Sequence, residues 1–177
     1  GQIEERIQTI GVPECAAGNS AACVTLGVED DDATRGTSYL MRACDLGDAR
    51  GCGTLGGQFV VGVGVQRDPA RGRALLEKGC ETGSFLSCQA LITVLAFGNG
   101  LDPDPARARE RAERERERRG DRGCSPLATL YAVGVGVPQD LIRYGQLVGR
   151  ACKGGDGYAC SSLAKIQNRL DPAMAER

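Results

Sequence analysis

Nine cysteines lie in a chain of 177 residues, and their spacing constrains the fold more than any other feature. Cys15 and Cys23, Cys44 and Cys52, Cys80 and Cys88, and Cys152 and Cys160 each enclose seven residues. From Cys44 to Cys80 is 36 residues, and the same step separates Cys52 from Cys88, Cys88 from Cys124 and Cys124 from Cys160. A period of that length belongs to helical solenoid repeats. Leu55, Leu91, Leu127 and Leu163 keep it, as do Asp32, Asp68, Asp104 and Asp140. The pairs Gly62/Gly64, Gly98/Gly100 and Gly134/Gly136 keep it too. Cys124 lacks a partner, because Arg116 stands at the matching position.

Each unit reads as two helices. The first begins near Asp68, with Pro69 in its first turn, and ends at Gly83, a residue suited to a left-handed cap. The second begins near the second cysteine and carries Cys88, Leu91 and Leu95 on one stripe, as a helical period requires. It ends at the Gly-x-Gly loop. The run Phe59-Val-Val-Gly-Val-Gly-Val resembles a strand, but its place in the period makes it a helix end and loop. Each cysteine pair therefore spans a helix end, a tight turn and the next helix start. That placement suits a local disulfide, worth about 2–3 kcal/mol on the chain-entropy model. Zinc sites use closer cysteine spacings and commonly histidine, and no His is present. A metal site and a cofactor are accordingly not expected.

Composition agrees with a stapled repeat. Apolar residues make up 41% of the chain but aromatics only 4%, so each side chain buries little area. The absence of His removes Ser-His-Asp triads and His-based acid–base catalysis. The net charge of −1 offers no field for nucleic acid, and the apolar stretches, such as 90–97, are too short to span a bilayer. Cysteine richness points to an oxidising, extracytoplasmic setting: periplasmic, secreted or outer-surface. The chain starts at Gly1, which suggests a mature or trimmed chain, with any export signal upstream or removed.

The sequence resembles the Sel-one-like repeat (SLR) family, relatives of the tetratricopeptide repeat. The residues that carry the resemblance are Gly51-Cys52-Gly-Thr-Leu55-Gly56, Gly62-Val-Gly64-Val65 and Asp68. They recur as Cys88-Gln-Ala-Leu91 with Gly98-Asn-Gly100, and as Gly123-Cys124-Ser-Pro-Leu127 with Tyr131, Gly134-Val-Gly136-Val137 and Asp140. The cysteine pairs resemble the cysteine-rich secreted bacterial branch. The resemblance covers about residues 11–168. It implies an all-α, right-handed αα-solenoid serving as an adaptor or scaffold, and some cysteine-rich members are linked to penicillin binding or hydrolysis. One solenoid domain over 1–177 is expected, with units near 1–28 (shortened), 29–64, 65–100, 101–136 and 137–177.

Two departures stand out. The first unit lacks seven residues before Asp32 relative to the next, about two helical turns, so the apolar face is kept. The segment 106–122 is rich in Arg and Glu, with Arg111 where other units have Leu75 or Leu147, and Glu115 where they have Ala43 or Ala151. It reads as a solvated helix laced by Glu110–Arg114 and Glu115–Arg119 pairs, as a face for an acidic partner, or as a helix displaced from the solenoid.

Motifs of chemistry are few. Ser162-Leu-Ala-Lys165 matches the Ser-x-x-Lys nucleophile motif of penicillin-recognising enzymes, but Ser-Asp-Asn and Lys-Thr-Gly occur nowhere. The Gly-x-Gly loops end helices instead of opening them after strands, so they are turns and not phosphate cradles. Cys124 is either an orphan from a lost bridge or a reactive thiol, with Arg122 near enough in sequence to lower its pKa and permit a Cys124-linked dimer.

The expected function is binding of a protein or peptide, without catalysis. In solenoids of this kind the helix beginning at the second cysteine lines the concave side, with Leu55, Gly56 and Phe59 turned to the core. The candidate contacts on its other stripe are Arg50, Gln89, Thr93, Arg122, Ser125, Thr129, Tyr158, Ser161, Lys165 and Asn168. The competing readings are a penicillin-binding or β-lactam-hydrolysing protein and a structural spacer.

Overall fold

A computed structural model describes residues 11–170, with side chains as far as Lys165. The described residues form ten α-helices and no β-strand: α1 (Val12–Ala16), α2 (Ser20–Glu29), α3 (Ala33–Asp45), α4 (Ala49–Val61), α5 (Pro69–Glu81), α6 (Phe85–Phe97), α7 (Pro105–Arg119), α8 (Cys124–Val133), α9 (Leu141–Lys153) and α10 (Gly157–Leu170). A 3-10 turn, Gly120–Gly123, precedes α8.

The periodic residues act as boundaries. Asp32, Asp68, Asp104 and Asp140 cap α3, α5, α7 and α9, and each carboxylate accepts the main-chain N–H of the arginine three residues on, at 2.9–3.1 Å. Such a cap satisfies an orphan donor and is worth about 1 kcal/mol. Asn19, Asp48, Ser84 and Asp156 cap the helices that start near the second cysteines. The turns between use Gly18, Gly47, Gly83 and Gly155, all at positive φ. Gly64 shows why the loop glycine is needed: a Cβ there would lie 2.2 Å from the Ala33 carbonyl oxygen, and its φ is +69°.

The chain divides into two compact units. One comprises the residues up to Val94 with Gly98–Asp102; the other comprises Leu95–Phe97 with the residues from Pro103 on. In the first unit, α1 to α5 pack consecutively, each against the next. Cys15, Cys23, Val24, Leu26 and Ala43 form one core cluster, and Leu40, Cys44, Cys52, Leu55 and Phe59 another. The sequence expectation that Leu55, Gly56 and Phe59 turn inward holds. Backbones approach closely at two helix pairs. A Cβ on Gly56 would lie 2.9 Å from the Gly72 oxygen, and one on Gly27 would lie 2.9 Å from the Gly36 oxygen.

In the second unit, α7 packs on α8, α8 on α9 and α9 on α10. Ala108, Ala112, Leu127, Leu130, Leu147 and Ala151 are among its buried residues.

The four disulfides form as the spacing predicts, with Cα–Cα distances of 4.4–4.8 Å. Cys124 is the free cysteine.

The Arg/Glu segment is a helix docked on α8, which corrects the displaced reading. Its core residues are Ala108 and Ala112, both fully buried, with Glu115 4% exposed. Arg111, aligned with core leucines, is half-buried. The predicted pairs form: Glu110–Arg114 at 2.5 Å and Glu115–Arg119 at 2.8 Å. Arg118 lies 3.8 Å from Glu115, and Arg109 pairs with Glu113 at 3.2 Å. These internal pairs occupy much of the charge that an acidic partner would need.

Candidate recognition face

The candidate contacts fall on both units, and each set is built by its own helix starts. In the first unit they sit on α4 and α6. Arg50 is exposed, and its guanidinium lies 3.6 Å from Asp48, the cap of α4. Burial raises the Asp48 pKa, but the Arg50 and Gly51 main-chain N–H groups, the Ser20 hydroxyl and the Arg50 side chain outweigh it and hold the carboxyl below its usual value. Gln89 is half-buried on α6, and Thr93 is exposed. The Thr93 hydroxyl donates to the Gln89 main-chain oxygen at 3.0 Å, so its own helix already satisfies it.

The second unit holds the larger set. Arg122, in the 3-10 turn, donates from Nε to the Gly154 carbonyl at 3.1 Å. Its guanidinium therefore lies over the turn that leads into α10. Asp156 closes that turn. It accepts the N–H groups of Tyr158 and Ala159 at 3.0 and 3.1 Å, and it also accepts the Ser125 hydroxyl in a short hydrogen bond. Ser125 is thus half-buried and tied to the cap of the following helix. Thr129 donates to Ser125 and Ser161 to Gly157, both to main-chain oxygens of their own helices. Tyr158 is 84% exposed in the first turn of α10, and Lys165 is exposed two turns further. The Asn168 side chain lies outside the described residues. The groups left to meet a partner are Arg122, Tyr158 and Lys165. Neither cation has a carboxylate partner among the described residues.

Ser162 is half-buried on α10 and Lys165 is exposed. Among the described residues, no hydrogen bond joins the two side chains into a nucleophile–base pair.

Cys124 is fully buried. Burial pushes its thiol pKa up, and the cations acting on it are Arg150 and Arg116, with Asp121 raising it further. This corrects the sequence expectation: Arg122 is not among the cations acting on the thiol, because it reaches the Gly154 oxygen instead. The Cys124 Sγ donates to the Gly120 oxygen.

One arrangement escaped the sequence reading. Arg71 lies over the Phe59 ring at 4.3 Å in the first unit, and Arg143 over the Tyr131 ring at 5.0 Å in the second. A signal for it exists in the period, since Arg35, Arg71, Arg107 and Arg143 each follow a capping Asp by three residues.

These features define the chain as a disulfide-stapled helical repeat protein of the αα-solenoid class. No family model and no curated protein sequence matches the chain. Among solved structures, a Sel1 repeat protein from Oxalobacter formigenes is similar with a TM-score of 0.73 and 21% identity. That likeness covers 88% of this chain and 65% of the other. The protective antigen c5321 of uropathogenic Escherichia coli, which displays an SLR fold, is similar with a TM-score of 0.64 and 24% identity, covering 87% of this chain and 34% of the other. This chain thus spans about a third and about two thirds of the lengths of those proteins. The fold is that of the Sel1-like repeats, as the sequence resemblance implies.

Proposed function

We propose that the chain is an extracytoplasmic scaffold that binds a protein or peptide. The second unit's face carries the contact through Arg122, Tyr158 and Lys165. The observation behind this reading is the exposed Tyr158 on α10, the helix entered through the turn whose Gly154 oxygen Arg122 holds. Tyrosine and arginine are among the residues enriched at interface hot spots. Ser125, Thr129, Ser161 and Asn168 complete the proposed face of the second unit in supporting positions, and Arg50, Gln89 and Thr93 are the candidate contacts of the first unit. Four disulfides suit an oxidising compartment. No helix among the described residues is long and apolar enough to cross a membrane.

The test is affinity capture from envelope and secreted fractions with the wild type and the double variant Arg122→Glu, Lys165→Glu. The expected result is loss of a specific partner with an unchanged melting temperature. Undiminished capture would remove this face, and absence of any specific partner would favour a structural spacer.

A further inference from the structure

A second feature of the molecule shares no residue with the face above. Between α3, the end of α4 and the start of α5 lies an open groove of about 570 Å³. That is within the range of small-ligand sites, about 300–1,000 Å³. Its apolar lining is Met41, Phe59 and Val65, and its charged lining is Arg67, Asp68 and Arg71. Two of the three charged side chains hold main-chain groups. Arg67 donates to the Val60 and Asn99 carbonyls at 3.0 and 2.7 Å, and Asp68 accepts the Arg71 main-chain N–H at 3.0 Å. The Arg71 guanidinium is different. It lies over the Phe59 ring at 4.3 Å and has no carboxylate partner among the described residues.

The repeat register makes the Met41 position distinctive. It is occupied by Glu77 and Glu113 in the next two repeats, while Arg71 corresponds to Arg107 and Arg143. Glu113 pairs within its own helix with Arg109, at 3.2 Å, and Arg143 lies over the Tyr131 ring as Arg71 lies over Phe59. With methionine in place of the acid, Arg71 stands beside an apolar floor.

We propose that this groove binds an acidic peptide segment of a partner protein, in which an Asp or Glu adjoins an aliphatic residue. The aliphatic side chain lies over Met41 and Val65, and the carboxylate meets the Arg71 fork in a charge-assisted pair. This reading stands or falls independently of the Arg122 face, since the two use different residues on different units.

The test is a heteronuclear NMR titration of the oxidised full chain with N-acetyl-Leu-Glu-Leu-amide. Saturable shifts are expected at the amides of Met41, Val65 and Arg71. The Leu-Gln-Leu peptide should bind about tenfold more weakly, and so should the Glu peptide to Arg71→Gln, because a charge-assisted hydrogen bond is lost. Met41→Glu should weaken binding similarly by supplying an internal carboxylate. The spectra report folding of both variants. Absence of shifts, equal binding of the Gln peptide, or undiminished binding by both variants would overturn the proposal. Preference for N-acetyl-Leu-Leu with a free C-terminus would overturn its side-chain form.

Discussion

At the scale of single residues, the repeat is most informative where one residue fails to fit it. Cys124 keeps its register, but its partner position holds Arg116, whose Nε is buried without a hydrogen-bond partner. A buried donor left unpaired is costly. Arg116→Cys should therefore form the missing bridge with Cys124, read as loss of the free thiol in a non-reducing thiol assay. The chain-entropy gain is about 2–3 kcal/mol. In the wild type, a fully buried thiol with a raised pKa should resist alkylation in the native state and react fully in denaturant. Asp30 shows the opposite shift. Its hydrogen bonds from Arg35, at 2.6 Å, hold its pKa below the usual value against a small burial effect. Asp48 is lowered as well. A carboxyl lowered in the folded state contributes stability above its unfolded pKa, near 4, and loses it as pH falls through the folded value. An acid titration followed by circular dichroism should show stability declining below about pH 4, and less steeply in Asp48→Asn.

At the scale of helices, two adjacent glycines in α4 separate packing from propensity. A Cβ on Gly56 would come within about 3 Å of the Gly72 oxygen and of Leu76, whereas nothing lies within 4 Å of the place a Cβ on Gly57 would take. Gly56→Ala should destabilise by about 1–3 kcal/mol, because two backbones must separate. Gly57→Ala should stabilise by up to about 1 kcal/mol through helix propensity alone. Thermal melts of the two variants should move in opposite directions. The same scale explains the charged helix. In α7, Ala108 and Ala112 hold the buried stripe, so the helix docks although its mean composition is polar. Arg111 and Glu115 are the residues that break the pattern of leucine- and alanine-bearing units, yet Ala112 stands in register with the buried Leu40 and Leu76. The cap that other second helices have is also missing here. Gly120 occupies the register of Asp48, Ser84 and Asp156, and α8 begins only after a 3-10 turn.

At the scale of the whole molecule, the staples are unevenly shared. The bridges 15–23, 44–52 and 80–88 lie in the first unit and 152–160 in the second. Reduction should accordingly loosen the first unit more. Hydrogen exchange with and without reductant should show the larger gain in its helices. The period, the helix boundaries, the bridge pairing and the α-solenoid class were all legible in the sequence, because each depends on contacts close along the chain. A capping Asp reaches three residues, a bridge spans eight, and a 36-residue period repeats both. The sequence could not decide which arginine acts on Cys124, whether the Arg/Glu helix docks, or that Arg71 lies over Phe59 beside an apolar groove. Those outcomes depend on side chains brought together from different helices. Burial and electrostatics act through distances in space, and one chain's pattern of spacing does not contain them.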